Sequence, residues 1–504
     1  MKPPWPPRRR RSPMSEALDL LLVFPNNRAR AYGELGVDIA AVIPPVQSGL
    51  TAAYLRERGC TVQILDADAL EWAPERVGQE VAALRPRLVM VSTDHVNSGD
   101  VTKMAAAGET ARAIHAAAPG VPVLMDGVVP SAYPKWMLQD EGADYVCQGE
   151  PYDPILKLVE KLKAAGPGAR VAKREIPGIW ARYGDMIVES FRAPMFHNVD
   201  TLPMTAWDLM PPANYRAYHW HCFDRLDRRS PYAAIFTNLG CPYGCTFCSV
   251  NVVAGGPNFR THSPDYVMKE LEVLKKVYGV TNVRILDNVF TIREDLVEEL
   301  CDKIIASGME FNFWAYSRVE SVRNPDLLKK MRKAGIRWIC YGIEAAHERV
   351  RAAVDKPSNP EVIMRALEWT REAGIWILGN FIFGLPEDDR ESMQMTLDFA
   401  KDFNFEWINF YCAMAYPGTK LYDEVKAAGG MLPKEWSGYG QLSPNAQPLA
   451  TKYLASKEIL AFRDAAFIEY NSNPRYLDML EKTFGRDARD YVLRILKHKL
   501  VRNP

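Results

Sequence analysis

The sequence predicts an α/β protein with two successive domains of alternating strands and helices, followed by a helical module. Short apolar runs alternate with amphipathic helical stretches from Asp19 to about Ala165, and the same alternation resumes after residue 230. This alternation is typical of parallel sheets covered by helices. The chain has 504 residues, which is enough for two to four domains that each bury a core of their own.

Five segments are predicted along the chain. They are a disordered, basic, proline-rich tail (1–18), a doubly wound parallel-sheet domain (19–165), a connector (166–229), a partial (β/α)6 barrel (230–425) and a helical C-terminal module (426–504). The tail lacks the apolar core of a signal peptide, and Met14 is an alternative start.

The first domain has five candidate strands: Asp19–Phe24, Thr61–Leu65, Leu88–Ser92, Val121–Met125 and Ala143–Cys147. In doubly wound sheets a ligand lies at the carboxyl ends of the strands. Small residues dominate the loops there and let the backbone approach a bulky ligand closely. No G-x-G-x-x-G motif follows the first strand, so the sequence gives little support for dinucleotide binding. The candidate ligand contacts are Ser92, Thr93, Gly127, Gly149 and Glu150.

The connector contains a predicted hairpin, Gly178–Val188, which turns at Tyr183–Asp185. The length of the connector predicts that it wraps between the two domains.

The barrel has candidate strands beginning near Tyr232 and at Val283–Leu286, Phe311–Ala315, Trp338–Tyr341, Trp376–Ile382 and Trp407–Ala413. Long helical patterns separate them. Active residues of such barrels lie at the carboxyl ends of the strands. The polar or glycine residues found there are Asp287, Asn288, Arg318, Glu344, Gly379 and Gly384.

Three cysteines, Cys241, Cys245 and Cys248, lie within eight residues directly after the first barrel strand. Three thiols this close cannot all form disulfides, and the other six cysteines are scattered singly. An iron–sulfur or soft-metal site uses all three. A zinc site is the alternative, and its fourth ligand would come from His219, His221 or Cys222.

Charge and cysteine content narrow the function classes. The chain has 62 basic and 62 acidic residues, so its charge gives no reason to expect a nucleic-acid partner. No apolar run is long enough to span a bilayer. Nine cysteines in a long chain are typical of a reducing compartment, so a cytoplasmic location is expected.

The Cys-x3-Cys-x2-Cys spacing, with Phe247 before the last cysteine, resembles the radical S-adenosylmethionine (SAM) family. The resemblance implies a [4Fe-4S] cluster on the three cysteines, which are both metal ligands and catalytic, with SAM on the open iron. It also implies that the backbone of Phe247, Gly379 and Gly384 meets adenine. Asp287 and Asn288 would meet the methionyl amino group, Arg318 the methionyl carboxylate and Glu344 the ribose.

Asp126-Gly127 and the run Ala143 to Glu150, placed ahead of such a barrel, resemble the cobalamin-binding domain of B12-dependent radical SAM enzymes. That family usually has Gly-Gly where this chain has Asp126-Gly127. Relatives that use a histidine below cobalt carry Asp-x-His-x-x-Gly after the first strand, and this chain has Pro25-Asn-Asn-Arg-Ala-Arg30 there. His95 is therefore interpreted as an ordinary loop histidine, and cobalt is expected to lack a protein histidine.

The resemblance implies a cobalamin-dependent radical SAM methyltransferase that acts on an unactivated carbon, or phosphorus, of a small metabolite. A 5′-deoxyadenosyl radical would activate the substrate, methylcobalamin would supply the methyl group, and a flavodoxin or ferredoxin would supply electrons. One alternative is a cyclase, ring-contraction or rearrangement enzyme without net methyl transfer. Another is a radical SAM enzyme whose first domain is a docking module without cobalamin. Trp436, Tyr439 and Gln441 are suspected of facing the substrate, and Tyr316 or Cys412 of donating hydrogen.

Overall fold

The computed structural model describes residues 17–93, 101–166, 171 and 176–503. These residues form two compact units. The first comprises the described residues up to 27, 44–93 and 103–215, and the second comprises 28–43, 101–102 and 216–503. A short stretch after the first strand thus belongs to the second unit.

The first unit is built on a seven-stranded sheet in the order β2-β1-β3-β4-β5-β6-β7. Its first five strands are parallel, as predicted, and β1, β3, β4 and β5 are buried at every residue, which is typical of a parallel sheet covered on both faces. The strands are β1 (Leu20–Phe24), β2 (Val62–Asp66), β3 (Leu88–Ser92), β4 (Val123–Asp126), β5 (Tyr145–Cys147), β6 (Ile179–Tyr183) and β7 (Met186–Val188).

The hairpin predicted within the connector is present as β6 and β7, and its strands belong to the first sheet. Strand β6 pairs antiparallel with β5, so the hairpin extends the first sheet. The edge of β5 that faces away from β4 offers backbone N–H and C=O groups with which β6 forms hydrogen bonds. The sequence pattern could not show this pairing.

Two short helices, α1 (Arg28–Tyr32) and α2 (Gly36–Ile39), follow β1 in the chain and belong to the second unit. The helices of the first unit are α3 (Val46–Glu57), α4 (Ala67–Leu70), α5 (Pro74–Leu84), α6 (Lys103–Ala117), α7 (Val128–Ala132), α8 (Pro134–Asp140) and α9 (Tyr152–Ala165).

The second unit is built on six parallel strands that follow one another in chain order, as a partial barrel requires. They are β8 (Tyr232–Ile235), β11 (Asn282–Ile285), β12 (Asn312–Ser317), β13 (Ile336–Glu344), β14 (Trp376–Phe383) and β15 (Trp407–Cys412). A separate antiparallel ribbon, β9 (Asn238–Cys241) with β10 (Asn258–Thr261), carries the cysteine loop. The helices between the strands are α10 (Pro264–Lys276), α11 (Glu294–Ser307), α12 (Pro325–Lys333), α13 (Glu348–Ala352), α14 (Pro360–Glu372) and α15 (Arg390–Phe403).

The barrel helices begin where the sequence supplies a capping side chain. Ser263, Asn324 and Asn359 each accept a hydrogen bond from the first turn, and each is followed by a proline that needs no N–H partner. Helix α11 ends at Ser307, and the next residue, Gly308, caps it in the left-handed conformation with φ of 66°. These signals mark, within the local sequence, where the barrel helices begin and end.

Helix α16 (Lys420–Ala427) follows the last barrel strand. The C-terminal module is helical, as predicted, with α17 (Ser456–Asn471), α18 (Pro474–Phe484) and α19 (Arg486–Ile495). It packs on the barrel through aromatic side chains. The ring of Phe484 stacks on Trp338 with centroids 5.7 Å apart, and the Tyr470 hydroxyl donates to the Phe405 carbonyl at 2.8 Å.

Short 3₁₀ segments lie at Gly33–Leu35, Val199–Thr201, Pro212–Asn214, Trp220–Cys222, Phe290–Ile292, Val319–Ser321 and Trp436–Tyr439. Among the helices that the structure describes, none combines the length and the apolarity needed to cross a membrane.

Candidate functional site

The cysteine loop begins at the end of β9, and the side chain of Asn251 bridges two points of it. Its Oδ1 accepts from the Cys241 N–H at 3.2 Å, and its Nδ2 donates to the Tyr243 carbonyl at 2.8 Å. Cys241, Cys245 and Cys248 are partly exposed, whereas the other six cysteines are buried. The three thiols of the motif are thus the ones that a cluster could reach.

Burial favours the protonated thiol at Cys241 and Cys248 in the absence of metal. Burial raises the pKa of Cys248 to about 12 and raises that of Cys241 as well. Metal binding replaces such protons. Within the described ranges, no group of three or more His, Cys, Asp and Glu side chains is arranged to hold a metal ion as it stands.

Asp287 anchors the turn that leads into the cysteine ribbon. Its side chain is fully buried and accepts from the backbone N–H groups of Thr237 and Asn238, at 2.8 and 3.0 Å, and from both of their side chains. Burial raises the Asp287 pKa to about 7, and these hydrogen bonds oppose that shift. The predicted contact with a methionyl amino group stays a prediction, because this carboxylate already has four donors. Asn288, beside it, is half-buried.

Arg318 follows β12 and lies over the cysteine loop. Its Nη1 donates to the Cys245 sulfur at 3.2 Å, while Nε and Nη2 donate to Glu320 at 3.2 Å each. The guanidinium also lies 4.1 Å from the Tyr243 ring centroid. Burial lowers the Arg318 pKa, but Glu320 and Cys245 outweigh it, so the net pKa is raised. The cation is therefore fixed at the cluster loop, where the resemblance places a carboxylate contact.

Glu344 ends β13 in the left-handed conformation, with φ of 67°, beside a register shift against β14. Its carboxylate forms a buried ion pair with Lys356, and both side chains are less than a tenth exposed. Gly342 makes room for the pair, since a Cβ there would lie 2.5 Å from Glu344 Oε1 and 2.7 Å from Lys356 Nζ. The predicted ribose contact is untested, and Lys356 is the partner that sequence reasoning missed.

The two glycines predicted to face adenine make room for protein side chains. A Cβ at Gly379 would lie 2.9 Å from the Phe381 ring, and one at Gly384, whose φ is 80°, would lie 2.6 Å from Ile459 of α17. Phe247 packs against the apolar cluster of Ala345, Val350, Val354, Leu385 and Ala413. The structure thus gives these three positions a packing role, and their adenine contacts remain predictions.

The zinc alternative loses its proposed fourth ligands. His221 is fully buried, and its Nε2 pairs with the Asn312 carbonyl at 2.9 Å. His219 stacks on Tyr491 and lies 2.9 Å from Nη1 of Arg229. Cys222 is buried, and burial raises its pKa to about 12. These side chains form part of the packing beneath the barrel.

In the first unit, the ends of three neighbouring strands meet at one edge of the sheet. Thr93 donates to the Asp126 carbonyl at 2.9 Å, and the Gly149 N–H donates to the Ser131 hydroxyl at 3.2 Å. Ser92 is buried beside Thr93. Gly127 and Gly149 are buried and have φ of 128° and 110°, in the region that favours glycine. Ala193 packs against Gly149, since a Cβ there would lie 3.3 Å from the Ala193 Cβ. The predicted contacts of both glycines with a ligand therefore remain predictions.

Glu150 differs from the other predicted contacts at this edge. Its carboxylate accepts from the Phe196 N–H at 2.7 Å, so it ties the segment after β7 to the sheet. Its contact with cobalamin remains a prediction. His95 lies outside the described residues.

A cavity of about 690 Å³ lies within the second unit. Tyr316, Tyr439 and Gln441, all suspected from the sequence, line it. Trp436 is not among the lining residues, but its ring lies beside that of Tyr439 with centroids 6.3 Å apart. Cys412 is buried and does not line the cavity. Tyr218 and Trp220 also line the cavity, so the segment before β8 is part of its wall.

Comparison with known proteins agrees with this geometry. Residues 235–400 match the radical SAM superfamily, and residues 35–159 match the B12 binding domain. An uncharacterized methyltransferase of Pyrococcus horikoshii is 27% identical over 470 residues, covering 92% of this chain and 94% of the relative. An anaerobic magnesium-protoporphyrin IX monomethyl ester cyclase of Cereibacter sphaeroides is 25% identical, covering 86% and 67%.

Among solved structures, the radical SAM methyltransferase TsrM of Kitasatospora setae, with cobalamin and a [4Fe-4S] cluster bound, superposes with a TM-score of 0.70. The two are 17% identical, and the match covers 95% of this chain and 99% of that one. This likeness shows the shared fold. The chain belongs to the radical SAM enzymes that carry a B12-binding domain.

The cofactors of this chain are accordingly a [4Fe-4S] cluster, SAM and cobalamin. The residues present fit them. Three accessible thiols on one braced loop are the donor set of an iron–sulfur cluster with an open iron. Two positive-φ glycines, Gly127 and Gly149, and the hydroxyl residues Ser92 and Thr93 lie at neighbouring strand ends, within or directly beside the stretch that matches the B12 binding domain.

Proposed function

We propose that this enzyme methylates an unactivated carbon, or phosphorus, centre of a small molecule in a cobalamin-dependent radical SAM reaction. One observation carries the proposal: the three accessible thiols lie in a radical SAM domain that follows a B12-binding domain. When bound, the cofactors supply a 5′-deoxyadenosyl radical and a transferable methyl group. The protein contributes position and exclusion of water, because radical chemistry needs its reactants aligned and isolated.

The chain's own residues account for that positioning. Asp287 fixes the Thr237–Asn238 turn from which the cysteine ribbon departs, and Asn251 fixes the loop itself. Arg318 places a permanent cation against Cys245, where it would offset the negative charge of thiolates bound to a cluster. The Glu344–Lys356 pair fixes the end of β13 beside the loop.

A cyclase reaction without net methyl transfer is the second candidate, because the magnesium-protoporphyrin relative is named a cyclase. We also propose an external flavodoxin or ferredoxin as electron donor. A cytoplasmic location is proposed from the nine free thiols, since a reducing compartment keeps thiols unpaired.

The test is anaerobic turnover with SAM that carries a deuterated methyl group, followed by mass spectrometry of the product. Incorporation of the labelled methyl supports the proposal, and a product that lacks the label supports the cyclase reaction. Replacement of Cys241, Cys245 and Cys248 by alanine should abolish iron binding, while the buried Cys301→Ala should retain it. Full iron content in the triple variant would contradict the cluster assignment.

Cobalamin binding is tested separately by its visible absorbance. Gly127→Val should lose cobalamin because a side chain would occupy the strand edge. Gly184→Val is the matched control, since Gly184 also has positive φ but lies at the open tip of the β6–β7 hairpin. A wild-type protein that binds no cobalamin would favour a docking role for the first domain.

A further inference from the structure

The cavity of the second unit is unusually rich in aromatic side chains. Tyr, Trp and Phe make up 12 of its 29 lining residues, against 11% of the whole chain. Its volume of about 690 Å³ lies in the range of small-molecule sites. The lining residues come from the barrel strands, the segment before β8, the C-terminal module, Thr102 and the stretch that contains α1 and α2. A cavity of this kind offers ring faces and edges as its main contacts.

The rings are held in fixed orientations by one another. Tyr218 stacks on Trp220 at 5.5 Å, and Trp220 meets Trp314 edge to face at 5.0 Å. Trp314 in turn meets Tyr316 at 5.1 Å. Rings that already contact each other cannot rotate freely, so they present a preorganised surface with little entropy to lose on binding.

The polar groups of the cavity that have no hydrogen bond within the described residues include one amide oxygen and two phenol hydroxyls. The Asn409 side chain is half-buried and donates to Asn380 at 2.9 Å, which leaves its Oδ1 without a hydrogen bond among the described residues. The hydroxyls of Tyr316 and Tyr411 likewise have none there. Burial raises the pKa of both phenols, so they remain neutral donors. These groups suit a ring compound with a few heteroatoms at its edge.

The charge at the cavity is positive. The carboxylate of Asp464 is paired with Arg463 at 3.1 Å and with Arg502 at 3.0 Å. Lys499 also lines the cavity, is exposed and has no ion pair among the described residues. An anionic group on the ligand would therefore be attracted to this end of the wall.

We propose that the cavity binds a planar, conjugated ring compound with an anionic substituent. We further propose that this compound is the substrate, an assignment that rests on the proposed function. The ring faces lie against the aromatic wall, the ring edge meets the phenols and Asn409, and the anion meets Lys499. A hydroxyl-rich sugar or nucleotide would place many of its polar groups against ring faces, which offer them no hydrogen bond. A saturated polycycle would leave the phenols and the amide unpaired, which costs binding free energy.

The test is equilibrium binding to the full chain loaded with its cofactors, without turnover. The planar probes are protoporphyrin IX and indole-3-acetate, which differ in size. The contrasting probes are deoxycholate, which is anionic and saturated, and cytidine monophosphate, which is anionic and polar. We expect at least one planar probe to bind at least tenfold more tightly than both contrasting probes. Failure of both planar probes to reach that margin, or a preference for deoxycholate or the nucleotide, would overturn the inference.

Variants separate the cavity from non-specific adsorption. Tyr411→Leu should weaken binding of the planar probe about threefold to tenfold, and Tyr411→Phe about threefold, from the loss of ring contact and of one hydrogen bond. Lys499→Gln should weaken it at low salt only. Tyr453→Leu is the control, since Tyr453 is 48% exposed and outside the lining. Equal effects of Tyr411→Leu and Tyr453→Leu would place the ligand elsewhere.

The two proposals fail in different ways. If labelled methyl is transferred to a saturated or sugar-like acceptor, the ring inference is wrong and methyl transfer stands. If planar probes bind in a Tyr411-dependent way but no labelled methyl is transferred, the cavity assignment stands and the proposed function is wrong.

Discussion

The Nη1 atom of Arg318 lies 3.2 Å from the sulfur of Cys245, although the two residues are 73 positions apart. The end of β12 is thereby joined to the cysteine loop by a buried cation. The same guanidinium is shared with Glu320, so its fork serves two partners at once.

Arg318→Lys should therefore weaken SAM binding by about tenfold or more, because a lysine ammonium cannot bridge two partners with fork geometry. Equilibrium binding of SAM to the cluster-loaded enzyme measures this. Arg323→Lys, on an exposed arginine five residues away, is the control and should change nothing. Unchanged SAM affinity in the Arg318 variant would show that the guanidinium serves the fold alone.

The buried pair of Glu344 and Lys356 allows a double-mutant cycle. Lys356→Met should destabilise the fold by about 3–5 kcal/mol, since it leaves a buried carboxylate unpaired. Adding Glu344→Gln should restore much of that loss. Urea unfolding measures each variant, and additive effects of the two substitutions would show that the pair is not coupled.

Gly384 distinguishes side-chain collision from backbone strain. Gly384→Ala should cost about 2–4 kcal/mol, because its Cβ would lie 2.6 Å from Ile459 and its φ is 80°. Gly279→Ala has a similar φ of 66° but open space, so it should cost only about 1 kcal/mol. Thermal unfolding compares them. Equal losses would mean that α17 shifts to accept the methyl group.

His221 should make the second unit sensitive to acid. Burial lowers the His221 pKa to about 3, so the folded protein holds it neutral while the unfolded chain takes up a proton below about pH 6.5. The free energy of unfolding should thus fall as pH drops from 6.5 towards 3, by up to about 1.4 kcal/mol per pH unit from this group.

His221→Gln should flatten that dependence, since its amide can still donate to the Asn312 carbonyl. His347→Asn is the control, because His347 caps α13 at the surface and asparagine is also a good cap. Denaturant unfolding between pH 4 and 7 measures the slopes. A steep slope that persists in the His221 variant would assign the acid sensitivity to other groups.

Much of the site was predictable because its signals are local. The spacing of Cys241, Cys245 and Cys248 is a feature of one short loop, and the caps at Ser263, Asn324 and Asn359 lie next to the helices that they start. The partners of predicted residues were not predictable. Lys356 lies on the chain 12 residues beyond Glu344, with nothing in its neighbourhood to mark it.

The sequence by itself determined the order of strands and helices, the cysteine loop and the strand-end residues, because periodicity and capping act over a few residues. Only the tertiary structure decided that β6 and β7 join the first sheet and that Asp287 holds the Thr237–Asn238 turn. It also decided that the side chain of Ile459 packs against Gly384. Each of these depends on which distant surfaces meet. Packing and buried hydrogen bonds are satisfied between segments far apart in the chain, and local pattern carries no record of that choice.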